Sequence, residues 1–312
     1  MKKYVIIAGC SYAFREPENL LPVKFDRWGD KTEYDDIEFI YIGASSASNE
    51  FIAESITITI DSLFDIGILP QNIFVINNFT QIGRPFVKLP NEYHKMANDI
   101  ISTYSNDNRY LTKQHTNPFY YSIQSLIKIK NQIYSFLISD KNLSGPIKDW
   151  YDHYNNVRFT SKTINEYFES YLNSIVILQS FLKKYDIKHI SFLMNNTFDG
   201  WDSEFKHIYN NHTTFTLPST KGTKHISNIS DYTKVLWDCI DLNSFVFHQT
   251  KENKYGGIDE YMLDKYPNKK YLQNPEREEL IFGNHPNAFI YKKFAEDYIV
   301  DNFINWYNET YN

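Results

Sequence analysis

Short apolar runs separated by polar loops and longer amphipathic stretches set the pattern of this chain. Tyr4-Val5-Ile6-Ile7-Ala8 stops at Gly9, Ile37 to Ile42 stops at Gly43, and Ile73 to Ile76 runs into Asn77 and Asn78. His189 to Met194 is a fourth such run and Asn243 to Phe247 a fifth. Continuous apolarity over so few residues, rich in β-branched side chains, marks strands covered on both faces.

Between these runs the period lengthens. Ile52, Ile56, Ile60, Leu63 and Phe64 recur at helical spacing from Asn49 onward, with Glu50, Glu54 and Asp61 off the stripe. Thr163-Ile164-Asn165-Glu166 has the form of a capping box, and Phe168, Leu172, Ile175, Leu178 and Leu182 follow on one helical face. Asn287 to Trp306 reads as a closing amphipathic helix. Strand, helix, strand is the signature of a right-handed crossover in a parallel sheet. The expected fold is therefore α/β, a three-layer α/β/α sandwich with a central parallel sheet and aromatic-rich insertions. Residues 1–312 are expected to form one domain, with residues 85–161 as an insertion or cap that holds a helix from Tyr121 to Leu137.

Composition narrows the partners. The chain is 42% hydrophobic and 17% aromatic, which suits a packed core. A net charge of -6, with both signs interspersed, leaves no basic stripe to track a phosphate backbone, so no nucleic-acid partner is expected. The two cysteines, Cys10 and Cys239, cannot form a disulfide framework and suit a reducing compartment. The apolar run at residues 4–8 is too short for a signal-peptide core or a membrane span. A cytoplasmic protein with no membrane partner is the expectation.

Ligands of open parallel sheets bind beyond the carboxyl ends of the strands. The first strand leads into Gly9-Cys10-Ser11, the second into Gly43-Ala44-Ser45-Ser46-Ala47-Ser48-Asn49, and the third into Asn77-Asn78-Phe79-Thr80. A serine becomes nucleophilic beside a base, usually an imidazole. His285, in Gly283-Asn284-His285-Pro286-Asn287 just before the last helix, is the best-placed histidine. The other histidines show no metal-ligand spacing, and no metal or organic cofactor is expected.

In this order the blocks resemble the SGNH or GDSL hydrolase family, and look most similar to its phage-encoded members. Arg84 after Thr80, and Gly256-Gly257-Ile258-Asp259-Glu260-Tyr261 ahead of the final block, are similar to that branch. The resemblance implies Ser11 as nucleophile and His285 as base, with Gly43 and either Asn78 or Thr80 at the oxyanion. It also implies Asn49 and Arg84 near a small-molecule or glycan ester substrate, in a host cytoplasm or virion if the chain is phage-encoded.

Two places depart from the pattern: the third block lacks a clean Gly-x-Asn-Asp, so Asn78 and Thr80 compete for the oxyanion, and the final block lacks its acid. The family places an aspartate two or three residues before the histidine, where this chain has Gly283 and Phe282. The orienting acid of such a triad holds the imidazole tautomer. Three explanations follow: a Ser-His dyad suffices; Glu279, Asp241 or Asp231 supplies the carboxylate; or the chain is a non-catalytic phage structural or glycan-binding protein on the same fold. A nucleotide-binding protein is disfavoured, because no G-x-G-x-x-G follows the first strand.

Overall fold

The computed structural model describes residues 2–9, 36–43, 47–80, 82, 87–105, 126–130, 132–135, 145–150, 152–153, 164–198, 230–251, 253–266, 281–282, 285–286 and 288–309. Five parallel strands form the central sheet: β1 (Lys3–Gly9), β2 (Ile37–Gly43), β3 (Ile73–Phe79), β7 (Lys188–Leu193) and β8 (Phe245–Val246). Their order across the sheet is β2-β1-β3-β7-β8. The chain thus builds one way from β1 to β2 and the other way from β3 onward. In open parallel sheets such a reversal is where ligands bind, here beyond the carboxyl ends of β1 and β3. The protein is an α/β protein with a central parallel sheet.

Helix α1 (Asn49–Asp65) starts where the spacing predicts, because the Ser48 hydroxyl caps it by accepting from the Phe51 N–H at 3.2 Å. Helix α3 (Ile164–Lys184) packs against α1 and buries Phe168, Leu172, Ile175, Leu178 and Leu182, the stripe seen in the sequence. The two faces of the sheet are covered by different helices. Phe79 meets Tyr171 of α3 edge-on, whereas Phe74, of opposite parity on β3, meets Phe303 and Trp306 of α7 (Val300–Glu309). Phe192 of β7 packs on Phe294 of α6 (Ala288–Tyr298). Helices on opposite faces are what a three-layer arrangement requires.

Four details differ from the sequence expectations. Strand β3 continues through Asn77, Asn78 and Phe79, because each keeps a ladder partner on β7 and Ser191 Oγ donates to Asn77 Oδ1 at 2.9 Å. β8 holds only two residues, preceded by a 3₁₀ turn at Leu242–Ser244. The closing helix is two helices, α6 and α7, parted at Ile299.

The largest difference lies at residues 126–135, where the expected helix is a β-hairpin of β5 (Leu126–Ile129) and β6 (Gln132–Ser135). Ile127, Ile129 and Ile133 are β-branched, and Lys130 takes the left-handed backbone at φ 55° that the reversal needs. With β4 (Val87–Lys88), the hairpin forms a separate antiparallel sheet, and helix α2 (His94–Ser105) follows β4. Lys88 pairs with Glu54, and Lys130 Nζ lies 2.9 Å from Asp61 and 3.2 Å from Asp65, so this sheet is tethered to α1. Among the described residues no helix is long and apolar enough to cross a membrane.

Candidate functional site

The register of the sheet assembles a row of positions at its carboxyl edge. Gly9 pairs with Gly43, and one step past the Ala8–Asn77 pair puts Gly9 beside Asn78. Asn78 pairs in turn with Phe192, and Phe192 with Val246. In parallel strands such neighbours share a face, here the one covered by α6 and α7. The row therefore reads Gly43, Gly9, Asn78, Phe192, Val246. Two adjacent positions without side chains border a carboxamide, at the carboxyl edge where the strand order reverses.

Asn78 is fully buried, and neither its Nδ2 nor its Oδ1 has a hydrogen-bond partner among the described residues. Leaving a buried donor or acceptor unmet costs about 1–3 kcal/mol per group. An asparagine with both atoms unmet is thus an expense that a bound polar group would relieve. The next two asparagines behave differently. Asn77 points to the opposite face, where its Oδ1 accepts from Ser191 and only its Nδ2 is without a partner among the described residues. Asn49, at the start of α1, spends its amide on the backbone of Thr80. Its Oδ1 accepts from the Thr80 N–H at 2.8 Å, and its Nδ2 donates to the Thr80 carbonyl at 3.2 Å. Asn49 holds the strand end in place. Among the described residues the buried Thr80 hydroxyl reaches only the Met194 thioether, at 3.9 Å, so of the two expected oxyanion side chains Asn78 has the readier donor.

His285 enters through the backbone. It lies on β10 (His285–Pro286), which pairs with β9 (Ile281–Phe282) so that His285 stands opposite Phe282. β10 packs against α5 (Ile258–Lys265) and α6. The first turn of α5 is in turn docked on the carboxyl end of β7, where the Asp259 N–H donates to the Met194 carbonyl at 3.0 Å. The hairpin that carries His285 therefore joins the sheet through its carboxyl edge, the edge at which β1 leads toward Ser11. Ser11, Arg84 and Glu279 lie outside the described residues.

Two other expected acids have jobs elsewhere. Asp241 caps the turn ahead of β8 by accepting from the Asn243 N–H at 3.0 Å, which puts it at the amino edge of the sheet. Asp231 opens α4 (Asp231–Asp238) with its side chain 98% exposed and bonded to Lys234 at 2.9 Å, which holds its carboxyl below the usual range.

No family model, curated protein or solved structure matches this chain. The site is accordingly argued from its own geometry.

A second polar cluster lies on the same side of the sheet, one the site residues expected from sequence did not include. His248, just past β8, is buried, with Nε2 3.0 Å from Asp264 of α5 and Nδ1 2.8 Å from the Tyr298 hydroxyl of α6. Tyr261 of α5 donates to Asp297 of α6 at 2.8 Å. Burial first, then the nearby carboxylates, push the Tyr261 and Tyr298 phenols up, so both stay protonated. Glu260 adds a clamp: it accepts the Asn196 N–H through both oxygens at 3.0 Å and the Gly257 N–H at 2.7 Å. Gly256 and Gly257 are glycines for a steric reason. A Cβ on either would run into the backbone carbonyl of His248 or Leu193. The one available cue in sequence was a histidine inside the aromatic run Phe245-Val246-Phe247-His248, since a buried imidazole needs partners for both nitrogens.

Proposed function

We propose that the chain is a serine esterase of the SGNH type that hydrolyses an acyl ester, an O-acetylated carbohydrate being the favoured class. Ser11 Oγ attacks the acyl carbon while His285 takes its proton. The tetrahedral oxyanion is held by backbone N–H groups at Ser11 and Gly43 and by the Asn78 carboxamide. Collapse breaks the bond to the alkoxy oxygen, which leaves as the alcohol with the proton from His285. Water then attacks the acyl-serine with the same base, releasing the carboxylic acid and restoring Ser11.

The observation that carries this activity is the Gly43–Gly9–Asn78 row, with its unmet amide at the carboxyl edge where the strand order reverses. Preorganised donors of this kind contribute about 3 kcal/mol each to acyl transfer. Hydrolysis of a panel of acetyl esters by wild type and Ser11→Ala tests it. A loss of three or more orders of magnitude in the variant is expected, and equal rates would remove Ser11 as nucleophile.

A second function, glycan binding without turnover on the same fold, is favoured by Phe282 standing opposite His285 and by the engagement of Asp231 and Asp241 elsewhere. Under it an acetylated glycan is retained but recovered intact.

A further inference from the structure

An oxyanion uses only half of Asn78. Its Nδ2 donates to the developing charge, but Oδ1 is an acceptor, and it too is buried and unmet among the described residues. Because both atoms lack partners, the amide keeps one acceptor over whichever way it is turned. The side chain is fully buried, so bulk water does not reach it. On one side of it in the row stand Gly9 and then Gly43, which have no side chains to meet its amide. Phe192 on its other side offers no polar group.

We propose that Oδ1 of Asn78 accepts a hydrogen bond from a hydroxyl of the substrate next to the scissile carbonyl, so that the preferred substrate is the monoester of a vicinal diol or its hydroxyacyl counterpart. This rests on the esterase function above. A carboxamide presents its donor and acceptor side by side, and a carbonyl with a neighbouring hydroxyl presents the complement. No carboxylate, lysine or arginine stands in the row, so the match is to a neutral hydroxyl.

Two matched pairs of esters test this. 2-Hydroxyethyl acetate against 2-methoxyethyl acetate varies the donor on the alcohol, and ethyl glycolate against ethyl methoxyacetate varies it on the acyl part. In each pair methylation removes the donor from a nearly unchanged ester. A kcat/KM ratio of about tenfold or more is expected in at least one pair, because a site built for a hydroxyl rejects the analogue that leaves its acceptor unmet. The pair that discriminates tells which part of the substrate carries the hydroxyl.

Asn78→Asp, which keeps an acceptor and loses the donor, should turn over more slowly yet retain the ratio. Asn78→Leu should bring it to about one, with thermal denaturation confirming that both variants fold. Ratios near one in both pairs for wild type, as an ordered water on Oδ1 would give, overturn the inference while leaving the esterase standing. Absence of turnover for all four esters, with none for the wider acetyl panel, overturns the esterase function and this inference with it.

Discussion

Two polar groups lie on the carboxyl side of this sheet, one around His248 and one at Asn78, and they differ in how fully they are satisfied. Around His248 each ring nitrogen has a partner, Tyr261 has Asp297, and Glu260 closes the turn before α5. At the end of β3 the Asn78 amide is equally buried and has nothing. A saturated cluster holds elements together, and a carboxamide unmet at both atoms has capacity for a ligand. The first fixes α5 and α6, between which the His285 hairpin packs, and the second marks where chemistry would occur.

That contrast can be broken by mutation. The largest effect is expected at Asn78. Asn78→Leu should lower ester turnover by about 10²–10³, while the free protein becomes as stable or more stable by about 1 kcal/mol, since an unmet amide is exchanged for an apolar side chain. Steady-state kinetics beside thermal denaturation would read both. A parallel loss of stability would mean that Asn78 is a structural residue.

Gly257→Ala strikes the other cluster, where the new Cβ meets the Leu193 carbonyl. About 3 kcal/mol of destabilisation is expected, on the order of 5–10 °C in Tm, through backbone that must move. Calorimetry showing no change would mean that the two loops are not held in contact. Tyr298→Phe removes one bond of the His248 cluster and should cost about 1 kcal/mol in urea unfolding, with kcat reduced less than in Asn78→Leu.

The smallest effect sharpens the comparison from outside the site. His189, at the amino end of β7, is mostly buried with Nε2 unmet, and burial lowers its pKa below the ordinary histidine value. The unfolded chain thus binds the proton more tightly than the folded one. Stability from this residue is present above about pH 6.5 and declines as pH falls below that value. His189→Leu should flatten that acid-side slope by a fraction of a kcal/mol and leave turnover unchanged. An orphan atom far from the carboxyl edge would then be a stability liability alone.

Most of the sheet could be read from sequence, and for a physical reason. Strands buried on both faces need unbroken apolar runs, and the stops at Gly9 and Gly43 matched the structure to within a residue. The continuation of β3 could not be read, because Asn77 and Asn78 look like a loop until Ser191 and the β7 ladder are beside them. The hairpin at 126–135 was hidden because apolar residues spaced over a short run fit either period. The strand-end residues Gly43, Asn78 and Thr80 were legible as a group, since chain order places them all at carboxyl ends. Partner choice was not: that Asn49 is spent on Thr80 while Asn78 is left over depends on contacts between residues some thirty positions apart.

The central claim is that Ser11 is an activated nucleophile at this edge. Peptide mass spectrometry after treatment with a fluorophosphonate tests it most directly. A stoichiometric adduct on Ser11, formed quickly in wild type and much more slowly in His285→Ala, is the predicted result. No adduct, or one that forms at the same rate without His285, would contradict it.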